Sequence, residues 1–291
     1  MVNTLSLEAL IKLMDDPDEE VYEQVKDKLL HFGSEAVPFL ENSWEQLDYG
    51  QLFQSRMENL IHEIQFESVK TDLEAWIKSP EKDLLTGVCI IARYQFPDLL
   101  QEEVEAQIGT IQRTIWLELS NSLTAYEVVK TFNKILFEFY GFSGDTKHFT
   151  SPFNSCINSV LESRKGNPLT ISIIYSILAQ RLSIPIYGVN LPNHFILAYI
   201  DEHRAMQTLE PSKPSTGIFF YINAFSKGTL FSKQDIDDFL AKIDKPQRKE
   251  YYEPCSNSSI MIRMLNNLIA AYTEQEKHEK VSEIITLRDC F

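Results

Sequence analysis

The side chains best suited to chemistry fall in one stretch of the chain. Thr170 and Ser172 lie in the first turn of an apolar helix. His194 sits at the mouth of a strand, and Glu210 follows on the next strand-like run, Ala205 to Leu209. A hydroxyl or thiol beside an imidazole, with a carboxylate behind the ring, is the arrangement that activates a nucleophile: the base takes the proton and the acid fixes the base. A His194–Glu210 pair orients the imidazole and raises its pKa. Cys156 is the thiol nearest in sequence. It lies before Gly166, outside the helix N-terminus that would lower its pKa. A serine or threonine needs a positioned base and an exposed oxygen, which sequence alone does not place.

The elements that must hold these groups run from Asn158 to Tyr199. A Gly166-Asn167-Pro168 turn opens an almost wholly apolar helix ending near Leu182, and Ile184-Pro185 breaks it. Proline is comfortable in a first helical turn, where its missing N–H costs nothing. Two apolar runs come next, Ile186 to Leu191 and Phe195 to Ile200, which read as strands. A helix without a polar face is buried on all sides, so this helix is the centre of the fold. Asn158 and Arg164, just before it, read as groups that tie down loop backbone.

These residues resemble the transglutaminase-like superfamily, a papain-like fold whose nucleophilic cysteine starts a buried helix. Aligned on the break Ser183-Ile184-Pro185, Gly166 falls on the family's glycine, Pro168 on its cysteine, His194 on its histidine and Glu210 on its aspartate. Without the cysteine, the chain resembles the bacterial SirB-type branch. The matching positions there are Asn158, Val160, Leu161, Arg164, Gly166, Pro168 and Leu169, then Leu191, Pro192, His194 and Phe195. A lead-in with Asn133, Leu136, Phe137, Gly141, Phe142 and Gly144 is similar too. The resemblance implies a vestigial site of Pro168, His194 and Glu210, and a shallow cleft at Asn158, Arg164, Asn193 and His194. It implies a non-catalytic protein that acts as a scaffold or regulator through a protein or peptide partner. The competing expectation is a hydrolase or acyl transferase that uses Cys156, Thr170 or Ser172 with His194 and Glu210.

Composition narrows the classes. The chain has 291 residues, 44% of them hydrophobic, enough for a sizeable core. Its net charge of −15 opposes binding to nucleic acid or anionic lipid. The four cysteines, Cys89, Cys156, Cys255 and Cys290, are scattered without metal-ligand spacing, and ten glycines form no phosphate loop, so no cofactor is expected. Met1 to Lys12 has no basic segment before an apolar one, and no apolar run reaches the ~18 residues of a membrane helix, so the expected location is cytoplasmic.

The expected architecture is α+β in three parts: a helical region over 1–118, the transglutaminase-like core over 119–255, and a helical tail over 256–291. In the first part Asp16-Pro17-Asp18-Glu19 reads as a helix start, with Asp16 the cap and Pro17 at the first position. Gly33 stops that helix. The resulting pair resembles one HEAT-like unit, and its apolar face must pack on the helices next in the chain. Residues 51–77 read as two helices, Ser79-Pro80 as another start, and Val104, Ile108, Ile111 and Ile115 as one buried stripe. Thr124 to Glu127 and Ser232 to Asp235 read as capping boxes. The tail, with Arg263 to Tyr272, resembles a tetratricopeptide-like helix pair.

Overall fold

The computed structural model describes residues 4–46, 50–200 and 217–291. By contact density the chain forms two compact units, Met1–Ala75 and Trp76–Phe291.

The first unit is helical. It holds α1 (Thr4–Leu13), α2 (Glu19–Phe32), α3 (Val37–Gln46) and the first part of α4 (Gln51–Lys78). Leu7, Ile11, Val25, Leu29, Leu40, Phe53, Met57 and Leu60 build its core, so the α2–α3 pair buries its apolar face on α1 and α4. Gly33 ends α2 at φ 59°, a left-handed backbone that suits glycine. The start of α2 lies later than the sequence suggests: Asp18 is the cap and accepts from Glu20 N–H at 2.9 Å, while Asp16 accepts from Asp18 N–H. Residues 51–78 form one continuous helix, because no glycine or proline interrupts them.

The second unit begins with α5 (Leu84–Arg93), α6 (Gln101–Glu118), α7 (Ala125–Asn133), α8 (Ile157–Ser163) and α9 (Pro168–Arg181). Asp83 caps α5 through Thr86 N–H at 2.8 Å, so Ser79-Pro80 lies in the connecting turn. Val104, Ile108, Ile111 and Ile115 are buried, as their spacing predicts. Thr124 and Glu127 form the capping box of α7, which runs on into a π-helical stretch, Lys134–Phe139.

Helix α9 is the axis of this unit. Every residue from Leu169 to Ala179 is buried. It packs on α5, α6 and α8, and on a four-stranded antiparallel sheet through β3 (Ile186–Val189) and β4 (Ile196–Ile200). The sheet continues with β5 (Ile218–Asn223) and β6 (Thr229–Phe231), in the order β3-β4-β5-β6. Val189 faces Ile196, and Leu197 faces Ile222. A short parallel ladder joins β1 (Ser143–Gly144) to β2 (Lys165–Gly166) beside the start of α9. Ser232 and Asp235 cap α10 (Lys233–Lys242) reciprocally. The chain ends in α11 (Asn257–Glu274) and α12 (His278–Arg288), which pack on each other.

The architecture is α+β, mostly helical, with small sheets. Along the chain the division between the compact units falls between Ala75 and Trp76, and within the second unit α5 and α6 pack directly on α8 and α9. Helix α11 lies on α5 and on the Pro152–Ser155 turn, so the tail helices belong to the second unit.

Candidate functional site

The site is built where α9 begins. Asn167 caps that helix: its Oδ1 accepts from Thr170 N–H at 2.9 Å and from Thr170 Oγ1 at 3.2 Å. Its Nδ2 donates to Ser155 Oγ at 3.0 Å. One buried amide thus joins the helix start to the turn before α8. Pro168 comes next, at the first helical position.

The other candidate nucleophiles are occupied. Ser172 is buried and its Oγ donates to Pro168 O at 2.7 Å, one turn back along its own helix. The Thr170 hydroxyl belongs to the cap. Cys156 is buried against Pro152 O, and burial pushes its thiol up to about 12. Burial also raises Cys89 to about 12 and Cys255 to about 11. A thiol so far above neutral pH carries almost no thiolate.

His194 closes the turn between β3 and β4. Asn193 takes a left-handed φ of 57°, which asparagine tolerates, and His194 N–H donates to Leu191 O at 3.0 Å. The imidazole lies beside the side chain of Asn223 at the end of β5, which also caps the Ala224–Ser226 turn. Its pKa lies below the usual histidine value, because the ring is largely withdrawn from water and faces the Arg263 guanidinium; the Asn223 bond opposes this only in part. Glu210 lies outside the described residues.

Arg263 comes from α11. Its Nη1 donates to Asn190 Oδ1 at 2.7 Å and to Leu191 O at 3.3 Å, anchoring the loop that presents His194. Together these segments line a half-open cavity of about 320 Å³. Pro168, Asn193 and His194 line it, as do Ser155, Asn167 and Arg263.

Asn158 and Arg164 are held elsewhere. Arg164 ends α8 in a left-handed conformation, φ 61°, and its guanidinium lies over Phe142 at 4.9 Å and Tyr140 at 5.7 Å. Its carbonyl accepts from Ser143 N–H at 2.9 Å. Asn158 Oδ1 and Arg164 Nη1 are buried without a hydrogen-bond partner among the described residues. Neither residue lines the cavity around His194.

Sequence reasoning missed Ser155, Asn223 and Arg263. Asn223 and Arg263 come from segments distant from His194, joined by sheet register and helix packing that no local motif encodes. Among the described residues there is no group of three or more metal-ligating side chains, and no helix is long and apolar enough to cross a membrane.

Comparison with known proteins agrees with this core. A family model described as transglutaminase-like superfamily matches residues 102–266, more than half of the chain. A UPF0162 protein of Xylella fastidiosa strain Temecula1 is 25% identical over 201 residues, which cover 68% of each chain. A UPF0162 protein of Vibrio cholerae is 22% identical over 199 residues, 67% of this chain and 68% of the relative. F-box only protein 21 of Homo sapiens is 22% identical over 235 residues, 72% of this chain but 36% of that protein. No solved structure gives a significant match.

Proposed function

The chain belongs to the transglutaminase-like superfamily, and from that premise we propose that it is a non-catalytic member that binds a protein or peptide segment in the cavity beside His194. The observation that carries this reading is the start of α9. There Asn167, Pro168 and Leu169 line the cavity, with proline where the family has its cysteine, and the nearby hydroxyls of Thr170 and Ser172 are bound by Asn167 and Pro168. The proposal includes the SirB-type branch, with a HEAT-like lead-in, a tetratricopeptide-like tail and a cytoplasmic location. The net charge of −15 favours a polypeptide partner over nucleic acid or an anionic membrane.

The test is labelling with thiol-directed and serine-directed electrophiles from about pH 5 to about pH 9, in the wild type and in His194→Gln. The expected result is slow labelling that does not depend on His194. A cysteine or serine that labels rapidly near neutral pH, and loses that reactivity with His194, would overturn the non-catalytic reading.

A further inference from the structure

We propose that the cavity beside His194 is a carboxylate site, which takes the negatively charged group of a peptide, either its chain end or an aspartate or glutamate side chain. This rests on the reading of the cavity as a binding cleft, and supplies the chemistry of what it binds.

Arg263 is the first reason. It is a partly buried cation in a chain with 42 acidic residues, yet among the described residues it makes no ion pair. Its hydrogen bonds run from Nη1 to two neutral oxygens, Asn190 Oδ1 and Leu191 O. A guanidinium carries five N–H donors in a fork that matches a carboxylate. Anchoring through Nη1 fixes that fork while the residue lines the cavity. Partly buried charges are ordinarily paired, and among the described residues no carboxylate pairs with this one.

The start of α9 is the second reason. Asn167, Pro168 and Leu169 line the same cavity, so the positive end of a 14-residue helix faces it. Asn167 already satisfies Thr170 N–H and Pro168 has no N–H, which leaves the Leu169 N–H as the uncapped donor of that turn. His194 is held neutral and can donate or accept.

The remaining wall decides which anion fits. Phe149, Leu169 and Phe195 supply apolar surface, and Asn193 and Asn267 supply amides. That suits a carboxylate on a short carbon or amide stem. A phosphate brings nearly two charges to a site with one arginine, so Glu274 at the same cavity opposes it more than it opposes the single charge of a carboxylate. Among the described residues, the titratable groups lining the cavity are His194, Arg263 and Glu274.

The experiment monitors the His194 ring protons by NMR, assigned with His194→Gln, while small probes are added. The probes are N-acetyl-glycyl-alanine, its C-terminal amide, N-acetyl-glutamate N-methylamide, the matching glutamine compound, and inorganic phosphate. The expected result is that one or both carboxylates bind and raise the His194 pKa, while the amides and phosphate do not. Comparing the first and third probes tells chain end from side chain. Arg263→Gln should weaken carboxylate binding by about tenfold or more, as expected for loss of a charged hydrogen bond. Because Arg263 also anchors the 190–191 loop, Asn267→Asp is the second variant. It keeps the arginine, places a carboxylate at the cavity, and should both raise the His194 pKa and weaken the added acids.

Acid and amide probes binding equally would overturn the carboxylate assignment while leaving a binding cleft. Failure of every probe to bind, binding indifferent to both variants, or phosphate binding more tightly than the acids would also overturn it. Rapid His194-dependent labelling would sink the non-catalytic reading instead, whatever the carboxylates do.

Discussion

Asn167→Ala tests whether one buried amide holds the centre of the second unit. Three hydrogen bonds end on that side chain: Thr170 N–H at 2.9 Å, Thr170 Oγ1 at 3.2 Å and the bond to Ser155 Oγ at 3.0 Å. Losing an N-cap side chain costs about 1 kcal/mol. Leaving a buried polar group without a partner costs a further ~1–3 kcal/mol. Ser155 and Thr170 are both buried, but their hydroxyls can turn toward nearby carbonyls and recover part of the loss. The sum is about 2–4 kcal/mol of destabilisation.

The assay is urea unfolding monitored by tryptophan fluorescence in a Trp44→Phe background. Trp76 and Trp116 then report on the second unit alone. Asn167→Asp keeps the cap acceptor and places a negative charge at a helix N-terminus, so it should recover at least half of the loss at neutral pH. A loss below about 1 kcal/mol for the alanine variant would refute the reasoning, since that is the value of a cap alone.

Other sites give equally direct expectations. In Gly188→Ala the new Cβ sits 2.5 Å from Phe195 Cζ and 3.3 Å from Ile260 Cδ1, so thermal denaturation should show a loss of about 1–3 kcal/mol, partly restored by Phe195→Leu. His194 has a pKa below its ordinary value near ~6.5, so the unfolded chain binds the proton first and stability falls as pH drops from there through the folded pKa. Denaturation of wild type and His194→Gln at about pH 8 and about pH 5 should show wild type losing more on acidification; parallel losses would contradict the burial of the ring. In the first unit, Arg56 donates to Met14 O at 3.0 Å, Asp16 O at 2.7 Å and Glu19 Oε2 at 2.8 Å, and lies over the Tyr22 ring. Arg56→Met should cost about 2–4 kcal/mol by calorimetry, and Arg56→Lys should recover less than half, because one ammonium cannot reproduce the fork.

Much of the fold is legible in the sequence because its signals are local. The apolar run from Leu169 to Ala179 announces a buried helix, and the reciprocal caps at Thr124 and Ser232 mark two starts correctly. Proline misleads at two others. Pro17 and Pro80 permit a first helical turn but do not create one, and the side chains that cap are Asp18 and Asp83. Residues 51–77 read as two helices, yet nothing there breaks the backbone. In the site, Pro168, Asn193 and His194 can be grouped because they flank one helix and one turn. Asn167 looks like a turn residue, and only its distances to Ser155 and Thr170 reveal a cap. Asn223 reaches His194 through the pairing of β4 with β5, in which Leu197 faces Ile222. Arg263 reaches the loop through packing of the terminal helices.

The charges around His194 bear on both proposals at once. An imidazole that serves a nucleophile must accept a proton in the reaction, and a carboxylate stabilises the cation that forms. Among the described residues, the neighbour that favours the charged ring is the Asn223 amide, which carries no charge itself. Arg263 then penalises the protonated ring directly. Burial acts in the same direction, so a proton gained by His194 is opposed twice. On the proposed reading, the described surroundings suit a neutral donor beside a guanidinium better than a general base. Among the described residues no carboxylate pairs with either group, and on the proposed reading a ligand that brings one would satisfy Arg263 and draw His194 toward its protonated form together.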